Sequence, residues 1–136
     1  MTKLSKHEAL IWVMVVTSAA DHTMTEREME QLGHLVSLMP VFNDFEGDVG
    51  RIAETAAARL AEPDGLDRIL DLVAESLPQR LHETAYALAV EVAAADLLVK
   101  QEELVFLQML EDRFELPKLA VAAIEHSARV RYRKGV

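Results

Sequence analysis

The run Ala9-Leu10-Ile11-Trp12-Val13-Met14-Val15-Val16-Thr17-Ser18-Ala19-Ala20 contains no charged side chain. Just before it, Ser5-Lys6-His7-Glu8 has the form of a capping box, in which the serine hydroxyl caps the first free amides of a helix and the glutamate reaches back to the cap. The pair of signals predicts a helix over residues 6–20. A helix that is apolar on every side has no solvent face, so it must be wrapped by other helices and stand at the centre of the fold.

Working outward from this segment, the rest of the chain divides into helical pieces. Thr25-Glu26-Arg27-Glu28 is a second capping box, and Met29, Leu32, Leu35, Val36 and Met39 follow at helical spacing until Pro40. Residues 41–48 read as a loop, and 49–60 as a third helix whose alanines permit close packing. Pro63-Asp64-Gly65 breaks the chain, and Leu66, Ile69, Leu70, Val73 and Leu77 give a fourth, amphipathic helix before Pro78. A fifth helix is expected near residues 80–95, apolar over its second half, and a sixth near 101–114. Pro117 suits the first turn of a seventh, running to about residue 132.

Bulk composition agrees with this pattern. A chain of 136 residues is sized for one domain with one core, and no linker or low-complexity segment divides it, so residues 1–136 are expected to form a single helical domain. With 51% hydrophobic but only 5% aromatic residues, aliphatic helix packing is favoured over a sheet sandwich, and the fold class is all-α. The absence of cysteine removes disulfides, thiol nucleophiles and thiolate metal sites, and makes the cytoplasm the expected address. The first apolar run lacks a cleavage signature and is shorter than the roughly 20 residues a membrane crossing needs, so neither a signal peptide nor a transmembrane span is expected.

Net charge is −9, but Arg129, Arg131, Arg133 and Lys134 cluster near the end. Ahead of them stand ten basic against 23 acidic residues, a balance of −13. So acidic a body repels phosphate backbones and favours cations or basic partners, which argues against nucleic acid. The basic tail reads as a solvated helix end, with contact to anionic lipid or an acidic partner as the sharper alternative.

An internal repeat supplies the topology. Offsetting the chain by 75 residues lays Ala19-Ala20-Asp21 on Ala94-Ala95-Asp96, Met24 on Val99, Glu28 on Glu103, Met29 on Leu104, Leu32 on Leu107 and Leu35 on Leu110. Helices one and two therefore correspond to helices five and six. Two pseudo-repeat hairpins around a buried pair of apolar helices, about seven helices in all, are predicted.

Each repeat carries the phrase Ala-Ala-Asp-x-x-apolar-x-x-x-Glu, at 19–28 and again at 94–103. A buried helix ending in Ala-Asp, a tight turn with an aliphatic residue three positions on, and a Glu seven after the Asp resembles the TerB family of tellurite-resistance-associated proteins, whose fold is also ascribed to the N-terminal region of the co-chaperone DjlA. The resemblance covers most of the chain. It implies a non-enzymatic accessory protein of chemical stress, with an acidic surface for divalent cations or a partner protein in membrane-proximal complexes. The chain departs from the family pattern directly after the Asp, where His22 and Leu97 stand in place of the usual Gly, and Lys100 replaces the capping Thr25 in the second repeat.

Asp21, Glu28, Asp96 and Glu103 are the candidate metal residues, since hard cations such as Ca²⁺ gather several carboxylate oxygens. Glu26 and Glu102 are outer candidates. The competing reading is architectural: Glu28 sits where a capping box needs it, and Asp21 can accept from free amides at the next helix start. The turn is not a twelve-residue EF-hand loop, because its alternating oxygen ligands and central Gly are missing. His7, His22, His34, His82 and His126 form no zinc motif, and His22 beside Asp21 reads as a turn residue. No nucleophile elbow surrounds Ser5, Ser18, Ser37, Ser76 or Ser127, and the five glycines form no phosphate loop, so no catalytic residue or organic cofactor is expected. Trp12, Met14 and Met39 read as core rather than as a ligand cavity. Glu91, the lone charge between Tyr86 and Ala95, either faces solvent or is buried with a partner and marks a cleft; exposure is the expectation, because an unpaired buried carboxylate is costly. An acidic accessory protein and a helical protein-binding adaptor without a metal site are the two readings carried forward.

Overall fold

A computed structural model describes residues 3–19, 24–95 and 101–135, with the side chains of residues 101 and 102 excepted. Among these residues there are seven α-helices and no strand: α1 Lys6–Ser18, α2 Glu26–Leu38, α3 Val49–Leu60, α4 Gly65–Ser76, α5 His82–Ala95, α6 Gln101–Phe114 and α7 Lys118–Arg131. Short 3-10 turns at Pro40–Phe42 and Gln79–Leu81 lead out of α2 and into α5. The segment expected as loop over 41–48 therefore begins inside a 3-10 turn that Pro40 starts, its fixed φ suiting a first helical position.

Local chemistry sets the boundaries. Ser5 Oγ accepts from the Glu8 amide while Glu8 Oε1 accepts from the Ser5 amide, and Thr25 and Glu28 make the same reciprocal pair. Asp48 caps α3 by accepting from the Arg51 amide. At the other end of α6, Glu115 takes a left-handed conformation (φ 50°), while the Leu116 amide donates to Glu111 O and the Glu115 amide to Asp112 O. This is a Schellman closure without the usual glycine, and Leu116 is buried as its apolar anchor.

The first helix occupies the centre, as its charge-free sequence requires. From Ala9 to Ser18 every residue of α1 is buried, and α1 packs on α2, α3, α4, α5 and α6. Its counterpart α5 lies against α1, α6 and α7 and buries Ala85, Tyr86, Leu88, Ala89, Val90, Val92 and Ala93. Each of the two hairpins, α1 with α2 and α5 with α6, is thus anchored by its apolar member in one continuous core. Among the described residues no helix is long and apolar enough to cross a membrane.

Candidate functional site

The four acids singled out by the repeat do not all fall on described residues. Asp21 and Asp96, with His22 beside the first, lie outside them, as does the side chain of Glu102. Glu28 is placed by the first turn of α2, where Oε1 accepts from the Thr25 amide at 2.8 Å. Its other oxygen, Oε2, accepts from Ser18 Oγ at 2.9 Å, so the carboxylate ties the start of α2 to the end of α1. Glu103, its repeat mate in α6, is only 3% exposed, an unusual depth for a carboxylate in the first turn of a helix. Glu26 is exposed. Among the described residues no group of three or more His, Asp and Glu side chains is gathered as a metal would need.

A second place combines buried charge with a cavity. A cleft of about 600 Å³ opens between α5 and α7, with the turn after α2 as its third wall. Met39 and Val41, Ala87 and Leu88, and Ala123 and Ile124 supply its apolar lining, with Thr84 and Ser127 as polar points. Met39, expected as core, packs against the core and also lines this cleft, whereas Trp12 and Met14 lie wholly within the core.

Glu91 lies in the wall of this cleft. Its side chain is 13% exposed, which corrects the expectation of a solvent-facing acid. The physical reason is that both oxygens are partnered: Oε1 accepts from Arg131 Nη1 at 2.6 Å, and Oε2 accepts from the Tyr132 hydroxyl. Arg131 also donates from Nε to Ser127 Oγ at 3.3 Å. Part of the basic tail is therefore folded back onto α5, although the Arg131 side chain itself stays 50% exposed. Partial burial and the hydrogen bond to Glu91 push the Tyr132 phenol up to about 12.

Two further anchors went unnoticed in the sequence. Tyr86 is buried in α5 and donates to Glu125 Oε2 of α7 at 2.5 Å; burial, reinforced by that bond and by the charges of Glu125 and Glu111, raises its phenol well above the ordinary value. His7 Nε2 donates to the Val41 carbonyl at 2.9 Å and lies 3.2 Å from Asp44 Oδ1, with Phe42 and Phe45 against the ring. The Asp44 carboxyl is held below its ordinary value by a hydrogen bond from its own main chain, against desolvation, and by nearby Lys6 and His7. His7 thereby fixes the segment that forms the third wall of the cleft. The aromatics Phe42 and Phe45 in the 41–48 stretch were the signal that this segment packs inward.

No protein-family model matches the chain, and no curated protein or solved structure is significantly similar to it.

Proposed function

We propose that the chain is a TerB-like, non-enzymatic accessory protein of chemical stress that uses the acidic turns of its two hairpins to bind a divalent cation or a partner protein. The reading is carried by Glu103: a carboxylate 3% exposed in the first turn of α6, at the position repeat-related to Glu28, which itself joins α1 to α2. At the start of a helix the free amides and the helix dipole favour negative charge, and a divalent cation there would be a further favourable neighbour for the repeat-related pair of acids.

The alternative is a protein-binding adaptor in which these acids only shape the hairpins. It is favoured by Glu28, both of whose oxygens accept hydrogen bonds from within its own hairpin. Thermal melting of chelator-stripped protein with Ca²⁺, Mg²⁺, Mn²⁺ or Zn²⁺ separates the two, because a ligand that binds only the folded state raises the melting temperature. For the cation reading, at least one ion raises it, and the rise disappears in Asp21→Asn, Asp96→Asn and Glu103→Gln. No rise with any cation leaves the acids as helix-turn architecture and transfers the function to the adaptor.

A further inference from the structure

The α5–α7 cleft is not part of the acidic turns, and its chemistry differs from theirs. Its volume of about 600 Å³ and mostly apolar lining fit side chains rather than ions. Exposed apolar residues stand near the lining residues along the chain. Leu38, next to the Met39 wall, is 61% exposed. On α7, Leu119 is 84% exposed and Val130 47% exposed, at helical spacing from the lining residues Ala123 and Ser127. An isolated exposed leucine needs no explanation, but two leucines and a valine close in sequence to the residues lining one apolar cleft describe a surface longer than a small ligand.

We propose that this cleft is a docking groove for a basic amphipathic helical segment of a partner protein, whose apolar face fills the space beside Met39, Leu88 and Ile124 and whose Lys or Arg takes Glu91 over from Arg131. The charge of the occupant follows from Glu91. It stands on α5 between buried Val90 and Val92, and its own side chain is 13% exposed. Its present partners are the last residue of α7 and the residue after it, and helix ends open at lower cost than helix interiors. An occupant that displaces them without bringing a cation leaves a largely buried carboxylate uncompensated, and an anionic one meets it as a like charge. A cationic group exchanges for Arg131 with the ion pair preserved. Arg131 and Tyr132 are thus a built-in stand-in for the partner. Over longer range, the net charge of −9 of the whole chain, basic tail included, draws basic segments toward the domain.

This proposal does not rest on the cation reading, and the two fail separately: Glu91→Gln leaves any cation-induced melting shift intact. The test is fluorescence anisotropy with a fluorescein-labelled helical peptide carrying leucines at i, i+3, i+4 and i+7 and lysines elsewhere. Expected is 1:1 binding that Glu91→Gln weakens about tenfold or more, the scale of losing one desolvated ion pair. Glu83→Gln removes the same charge from an exposed position on α5 and leaves binding within about twofold, the scale of an exposed charge. Arg131→Ala, at an exposed helix end, tightens binding by freeing Glu91. Circular dichroism confirms that each variant folds. Equal weakening by Glu91→Gln and Glu83→Gln overturns the proposal as unspecific attraction to an acidic protein. So does equal binding of a peptide with the leucines replaced by serine, or saturable binding of decylammonium to the cleft where the peptide does not bind.

Discussion

Tyr86 and Tyr132 are the two tyrosines of the chain, and each donates its hydroxyl hydrogen to a glutamate, Tyr86 from a buried position and Tyr132 from an exposed helix end. Folding therefore favours the neutral phenol in both. The sign follows: the stability from this source is complete below pH 10, the ordinary phenol value, and is lost as pH rises through the raised folded-state values, about 12 for Tyr132 and higher for Tyr86. Phenolate absorbance should rise in native protein only as pH approaches the raised value of Tyr132, about 12, whereas urea-denatured protein titrates near pH 10. A native titration of either tyrosine near pH 10 would show that its glutamate bond is not formed in solution. Tyr86→Phe should cost about 1–3 kcal/mol in a denaturant melt, the scale of a hydrogen bond to a charged acceptor. These bonds also mark where sequence reading stops. The Thr25–Glu28 cap spans three residues and is legible in any window, but Glu91 finds Arg131 and Tyr132 at separations of 40 and 41 residues, and no local pattern encodes which helix ends meet. The rule that an unpaired acid avoids burial was sound; the missing information was the pair.

At the scale of the element, the helices were legible because their ends carry chemistry within one turn: serine, threonine and aspartate caps, and prolines that stop or start a helix. The cleft was not legible, since it arises from how α5, α7 and the 3-10 turn after α2 meet. Glycines and turn residues make the element energetics testable. Gly33 lies within α2 with open space where a Cβ would point, so Gly33→Ala should stabilise the protein by about 0.5–1 kcal/mol through helix propensity. Gly65 is the opposite case. A Cβ there would stand 2.6 Å from the Leu60 carbonyl oxygen and closer to that of Arg59, both main chain, because the turn from α3 into α4 is tight. Gly65→Ala should destabilise by about 2 kcal/mol or more, as overpacked sites do. Glu115→Gly, relieving the left-handed strain at the Schellman closure, should add about 1 kcal/mol. Urea melts of the three variants check the signs, and a neutral Gly65→Ala would mean the α3–α4 turn relaxes freely.

For the whole molecule, the decisive property is that both hairpins share one core, with α1 at its centre rather than at an edge. Trp12, the only tryptophan, is 2% exposed on that helix and so reports the core directly. If the second hairpin could melt while the first stayed folded, far-ultraviolet circular dichroism would lose signal before Trp12 fluorescence changed. The packing of α1 on α5 and α6 argues against it, since removing α5 would expose much of the apolar surface of α1 to water. The two probes should therefore trace one coincident transition in urea, as expected of a small domain with one core. Leu10→Ala, fully buried on α1, should shift both curves together by about 2–5 kcal/mol with an unchanged slope. Sodium chloride should raise the midpoint modestly, because the net charge of −9 repels itself and ions screen that repulsion. Separated transitions would mean the hairpins are independent folding units, and the shared core would then have to be weaker than its burial implies.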